Sequence, residues 1–227
     1  MYLRWMAAGL AIGLSVSSVE AADITLPSFP DLQIRSGYDW SGPYVGAHLA
    51  HGWGLSPNSY LYGTWLPDGD IAYQGFAGGI HAGYQRQFGN VVVGAEADLT
   101  GGSIRGDDAQ TAGFVNEIEI SGLGTLRGRL GFAQDNFLVF ATGGLAVADF
   151  YKRDLTNGAS GRHFAPGWTL GGGVEVALTD NVRLRAEYQY IRLDTVETGL
   201  AGNFGGYLHR ADAPALNVLR VGASYAF

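Results

Sequence analysis

The stretch Asn217-Val218-Leu219-Arg220-Val221-Gly222-Ala223-Ser224-Tyr225-Ala226-Phe227 reads differently at odd and even positions. Leu219, Val221, Ala223, Tyr225 and Phe227 are apolar or aromatic. Arg220, Gly222, Ser224 and Ala226 are small or polar, with one full charge. A β-strand puts these two sets on opposite faces. A half-buried soluble strand alternates too. The difference here is that the apolar set runs to the last residue and becomes aromatic there. Strands that cross a bilayer need about 9–11 residues, point apolar side chains at lipid and carry aromatics at the interfaces. The stretch is therefore expected to be the closing strand of a membrane barrel, with Tyr225 and Phe227 as its assembly signal. That reading requires the rest of the chain to repeat the pattern.

The composition leaves room for this. Of 227 residues, 36 are Gly, 15% are charged and none is Cys. Glycine is at about twice its ordinary share. The lack of Cys excludes disulfide frameworks and thiolate metal sites. A formal charge of −7 opposes nucleic-acid binding, which needs a basic footprint. Residues 1–21 have the form of a secretory signal: Arg4, then an apolar run from Met6 to Val16, then Val19-Glu20-Ala21, with cleavage after Ala21 or after Ala22. Beyond it no apolar run is long enough for a spanning helix. Residues 22–40, with Pro27 and Pro30, form an irregular periplasmic lead-in. Residues 41–227 would form the barrel.

Eight alternating segments follow. The first, near 42–53, sets Val45, Ala47, Leu49 and Trp53 against Tyr44, Gly46, His48 and Ala50. The second, near 75–88, sets Phe76, Ile80, Tyr84 and Phe88 against His81, Gln85 and Gln87. The third, 91–100, opposes Val91, Val93 and Leu99 to Glu96 and Asp98. The fourth, near 118–132, opposes Ile118, Ile120, Leu126, Leu130 and Phe132 to Glu119, Thr125, Arg127 and Arg129. The fifth, from Phe137 to about Ala148, is apolar or small on both faces. The sixth, 168–178, opposes Leu170, Val174 and Val176 to Thr169 and Glu175. The seventh, 182–193, opposes Leu184, Ala186, Tyr188 and Tyr190 to Arg183, Arg185, Glu187 and Gln189. The terminal stretch is the eighth.

The connections alternate in length. Gly89-Asn90, Gln134-Asp135-Asn136 and Thr179-Asp180-Asn181 are short turns, whereas 54–74, 101–117, 149–167 and 194–215 are long loops. Membrane barrels show this asymmetry, with short periplasmic turns and long extracellular loops. The aromatics also sort by height: Phe88, Phe132, Phe137, Tyr225 and Phe227 at one rim, Trp53, Phe76, Trp168 and Tyr190 at the other. A soluble barrel would keep its charges outside; here they gather on the face opposite the oily band. The fold class expected is all-β, a closed eight-stranded antiparallel transmembrane up-and-down barrel. His51, Arg86 and Arg192 fall on the lipid parity, each near a segment end, where a charge costs about 0–1 kcal/mol rather than the roughly 2–4 of the midplane.

Parity sends Glu96, Asp98, Glu119, Glu175 and Glu187 inward, with Arg127, Arg129, Arg183, Arg185 and Arg220. Acids and bases alternate by segment, so neighbours are expected to pair, and an eight-stranded barrel is narrow enough for side chains to fill. A lumen closed by ion pairs is expected; the alternative is a narrow porin for passive diffusion of small solutes.

Tyr38-Asp39-Trp40-Ser41-Gly42-Pro43-Tyr44-Val45-Gly46, Arg127-Gly128-Arg129-Leu130-Gly131-Phe132, Thr142-Gly143-Gly144-Leu145-Ala146, Gly167-Trp168-Thr169-Leu170-Gly171-Gly172-Gly173-Val174-Glu175, the hairpin Thr179-Asp180-Asn181 through Glu187-Tyr188-Gln189-Tyr190, and the terminal Arg220–Phe227 resemble the outer-membrane immunogenic and opacity-type surface proteins of alpha-proteobacteria. The resemblance spans nearly all of Trp40–Phe227, strongly in strands and weakly in loops. It implies an OmpA-like, porin-like barrel in the outer membrane of a Gram-negative cell. It also implies roles in envelope integrity, surface antigenicity and host contact, and supplies no catalytic motif. The partners expected are outer-membrane lipids, the barrel-assembly machinery, and host or envelope components at the four loops.

Other chemistry is poorly supported. Gly122-Leu123-Gly124-Thr125-Leu126-Arg127-Gly128 looks like a nucleotide loop but continues a strand pattern instead of opening a helix. His48 and His51 face opposite ways on a strand, whereas His48 and His81 can meet inside. His163, His209 and Asp107-Asp108 lie on separate loops and have no ligand or triad spacing. No catalytic residue, metal site or cofactor is expected.

Overall fold

The computed structural model describes residues 37–107, 116–154, 160–197 and 209–227. The signal segment and most of the lead-in lie outside these. The alternating segments form β1 (Gly42–Tyr62), β2 (Thr64–Phe88), β3 (Val91–Asp107), β4 (Asn116–Gln134), β5 (Phe137–Asp154), β6 (Ser160–Ala177), β7 (Val182–Leu193) and β10 (Ala215–Ala226). Two short pieces, β8 (Val196–Glu197) and β9 (His209–Ala211), stand beside β1 at the far end. All pairs are antiparallel; the eight long strands pair in chain order, and β10 pairs with β1 from Tyr44↔Ala226 to Leu55↔Ala215. The eight long strands therefore close on themselves, so no sheet edge faces hydrocarbon, where backbone groups would find no partner. β2 and β3 join at Gly89-Asn90, β4 and β5 at Asp135-Asn136. Gly89 (φ 61°) and Asp135 (φ 54°) supply the left-handed residue of each turn.

The strands run well past the expected segment ends. Residues 54–74, read as a loop, are the upper half of a β1–β2 hairpin that turns at Gly63, where Tyr62 pairs with Thr64. Much of 101–117 and 149–167 likewise extends β3–β6. The reason is a change of environment along the strand. In the lower half Leu49, Ile80, Leu99, Leu126 and Leu145 face outward, and the inward positions are polar or charged except for an apolar cluster at Val92, Leu138 and Phe140. In the upper half the inside becomes apolar, packing Ile71, Tyr73, Ile104, Ile118, Ile120, Phe150, Ile191 and Leu216. Outward positions there include Asp70, Arg105, Asp149 and Arg162, as in a soluble barrel. An irregularity between Ile120 and Gly122 reverses the parity of β4 at this level, whereas β3 keeps even-numbered residues inward from Val92 to Ile104. Ile118 and Ile120, expected to face lipid, are consequently buried inside.

Candidate functional site: a charged lumen between two apolar clusters

The strand period aims inward residues of every lower strand at one axis, and glycines leave room for them. Gly83 stands opposite Glu96, and a Cβ there would lie 2.5 Å from the Tyr44 ring. Tyr44 passes through that space to donate its hydroxyl to Glu96 Oε2 at 2.7 Å. Glu96 also accepts from Arg127 Nη2 at 2.5 Å and from Arg185 Nη1 at 2.7 Å. Arg127 reaches Asp98 Oδ2 at 3.1 Å and pairs with Glu187, which takes Arg185 Nη2 at 3.0 Å. Arg220 Nη1 contacts Asp98 Oδ1 at 3.1 Å. Arg129 pairs with Glu175 and lies 4.0 Å above the Phe140 ring. Thr125 donates to Asp98, and Thr142 Oγ1 lies 3.2 Å from both Arg127 Nη1 and Glu187 Oε1.

Each of these charged side chains is at most 3% exposed. Their desolvation is offset because each has an opposite charge at hydrogen-bonding distance. The expectation that neighbouring strands would pair holds for Glu96 and Arg127, which are register partners. It holds for Arg127 and Asp98 too, and Arg185 and Glu187 pair along one strand. Other bonds cross the lumen: Arg185 on β7 reaches Glu96 on β3, and Arg220 on β10 reaches Asp98 on β3, although its own register partner is Glu187.

Two of the ten expected lumen charges stand apart. Glu119 lies above the β4 register shift, which turns it to the outer wall; it pairs there with Arg105 at 2.8 Å, the side chains 20% and 57% exposed. Arg183 is buried but ion-pairs with no carboxylate among the described residues. It is held in an aromatic cage, its guanidinium carbon 4.9 Å from the Trp40 ring, 5.3 Å from Tyr38 and 5.9 Å from Tyr44. Its Nε donates to the Tyr38 hydroxyl at 2.8 Å. The lumen thus holds four carboxylates and five guanidinium groups. Cation–π attraction, about 2 kcal/mol or more where water is excluded, compensates the fifth.

That cage comes from the end of the lead-in. Trp40 is fully buried under the barrel, packed with Val92, Ala133, Leu138, Phe140 and Ala177. Its backbone N–H donates to Gln87 at 2.8 Å, and its carbonyl accepts from Gln85 at 2.8 Å. Beside it, the Ser41 N–H donates to Asp39 at 2.9 Å and holds that carboxyl below its usual range. The charged belt therefore lies between the apolar cluster around Trp40 and the apolar upper half. The space left among His48, His81, Glu96, Arg185, Glu187 and Arg220 admits no water-sized sphere.

His48 and His81 meet inside, Nδ1 to Nδ1 3.4 Å, with Thr100 and Ser224 on their other nitrogens. His163 is on the inward parity of β6. The His209 side chain and Asp108 lie outside what is described. Sequence parity alone could have found Tyr44, Thr125 and Thr142, inward polar residues beside inward charges. Phe140 carried no signal, because β5 is apolar on both faces.

The sequence model of the family described as outer membrane protein beta-barrel domain matches residues 9–227. The chain belongs to this outer-membrane β-barrel family. It is 31% identical over 234 residues to the 31 kDa outer-membrane immunogenic protein of Brucella melitensis, covering 93% of this chain and 94% of that protein. It is 32% identical over 177 residues to a 22 kDa outer membrane protein of Rhizobium leguminosarum, covering 77% of this chain and 75% of the relative. The outer membrane protein OprG of Pseudomonas aeruginosa has the same fold, with a TM-score of 0.56 at 15% identity, covering 85% of this chain and 99% of that one. As an outer-membrane barrel, the chain sets Leu49, Ile80, Leu126 and Leu145 in the hydrocarbon layer. The short-turn end, with Trp40 and Phe227, is periplasmic. The β1–β2 hairpin projects from the cell.

Proposed function

We propose that this barrel is a non-catalytic surface protein of the outer membrane. Its lumen is closed and its extracellular strand extensions form the working surface. The observation that carries the reading is the buried charge network, in which Arg127, Arg185 and Arg220 cross the lumen to carboxylates on the facing wall. A solute would have to break those pairs without water to replace them, and also pass the apolar packing above and the Trp40 seal below. An envelope-stabilising role follows from a rigid plugged cylinder. Surface antigenicity follows from the exposed extensions and from the immunogenic outer-membrane proteins among the relatives. Host or envelope components would meet the segments 54–74, 101–117, 149–167 and 194–215.

Planar-bilayer recording of the refolded barrel tests this. The expected trace has no sustained unitary steps. Stable steps of constant amplitude, abolished by a lumen substitution, would establish the diffusion channel in its place.

A further inference from the structure

The lipid-facing wall is not the same all round. On β3, β4 and β5 its upper band consists of Leu99, Leu126, Leu145 and Val147. On β2, β1, β10, β7 and β6 the upper band is built of rings and hydrogen-bonding groups, and the strand register stacks it in three rungs. In the lowest, His51 stands between Phe76 and Leu219, with Tyr188 beyond. In the middle rung Trp53, Asn217 and Tyr190 are successive register partners. In the uppermost, Arg192 stands between Ala215 and Trp168.

The rungs touch. His51 lies 4.8 Å from the Phe76 ring and 5.7 Å from Trp53, and Trp168 lies 5.7 Å from Tyr190. Asn217 is fixed on the outer face, its Oδ1 accepting from the Tyr188 hydroxyl at 2.6 Å and its Nδ2 donating to the Trp53 carbonyl at 3.3 Å. These bonds leave the amide one Nδ2 proton and one Oδ1 lone pair for a polar partner in the headgroup layer. Arg192 is exposed, and no carboxylate of the described residues pairs with it. Among the described side chains, two other outward arginines at this end are matched, Arg105 with Glu119 and Arg162 with Asp149.

We propose that this face binds the phosphorylated sugar headgroup of an outer-leaflet glycolipid of the lipid A class. A guanidinium is suited to bidentate phosphate recognition. The flat faces of Trp53 and Trp168 suit the C–H faces of pyranose rings, and Asn217 and His51 suit sugar hydroxyls. The face is at the extracellular end of the lipid-contacting wall, so its neighbours are outer-leaflet lipids. An ordinary phospholipid would use the arginine but not the rings and the amide.

The test is a tryptophan-fluorescence titration of the folded full chain in neutral detergent with purified lipid A, with phosphatidylglycerol, and with lipid A stripped of its phosphates. The expected result is saturable binding of lipid A, weakened about tenfold or more by Arg192→Ala and by removal of the phosphates, and weaker binding of phosphatidylglycerol. Arg86→Ala, at the opposite rim, should bind as the unaltered chain does. Retention of the heat-modifiable band by Arg192→Ala shows that the variant is folded, and partial rescue by Arg192→Lys supports the phosphate contact. Equal lipid A affinity in folded Arg192→Ala, or equal affinity for phosphatidylglycerol, overturns the proposal. So does disulfide capture between two copies of Asn217→Cys in phosphatidylcholine vesicles that lipid A fails to suppress, which would assign the face to a second copy of the chain.

Discussion

Glu96→Gln is the most informative single change. The amide keeps the carboxylate's shape and removes its charge, so packing is unaltered and electrostatics alone respond. Glu96 carries two guanidinium groups within 2.7 Å and the Tyr44 hydroxyl. Its loss shifts the lumen from four acids and five arginines to three and five, with Arg185 left only Glu187. Breaking a buried ion pair by removing one partner costs about 3–5 kcal/mol, which is roughly two to four powers of ten in the folding equilibrium. The paired control is Glu119→Gln. Its partner Arg105 is 57% exposed, and a surface pair is worth about 0–1 kcal/mol. Urea unfolding in lipid vesicles, followed by the electrophoretic shift of the folded barrel, measures both. Glu96→Gln should lower the midpoint strongly and Glu119→Gln barely. Equal, small effects would mean that water reaches Glu96 and screens it, and the closed lumen would be refuted. A companion variant replacing Glu96, Glu187, Arg127 and Arg185 with apolar residues should lose less than the four single effects sum to, because Asp98 keeps Arg220, Glu175 keeps Arg129 and no charge is stranded.

Three further outcomes follow from the same geometry. Trp40→Ala removes the lower seal and one wall of the Arg183 cage. A stability loss of about 3–5 kcal/mol is expected, read from the same urea transition, and a loss under about 1 kcal/mol would mean that the cap is loosely held. Deleting Phe227 removes an N–H that donates to the Pro43 carbonyl at 3.2 Å across the β1–β10 seam, and a ring packed edge-on against Tyr225 at 5.3 Å. The yield of folded barrel in cells should fall, and normal yield would count against Phe227 as an assembly signal. At Gly144 an added methyl would lie 2.1 Å from the Leu126 carbonyl and 2.7 Å from Arg127 Cα, whereas at Gly128 the nearest atom is 3.8 Å away. Gly144→Ala should lower the unfolding midpoint and Gly128→Ala should leave it unchanged.

The sequence by itself determined the strand count, the closure and which face meets lipid. A period of two residues makes face assignment a matter of parity, and parity survives wherever no residue is inserted. Glu96, Asp98, Arg127, Arg129, Glu175, Arg185, Glu187 and Arg220 were legible as one inward set for that reason. Glu119 was not, because a register shift at residues 120–122 reverses parity and no residue type there announces it. The upper halves of β1–β6 were misread as loops, since above the membrane the outside is water and the oily band that marked each strand moves indoors. Beyond the adjacent-strand pairs of Arg127 with Glu96 and Asp98, tertiary structure decided who pairs with whom. Salt bridges form at the barrel axis, where side chains from opposite walls converge, and that convergence depends on the closed cross-section rather than on neighbours along the sheet. It also decided that Arg183 would rest against Trp40, two residues 143 apart in sequence that meet only when the lead-in folds under the closed ring.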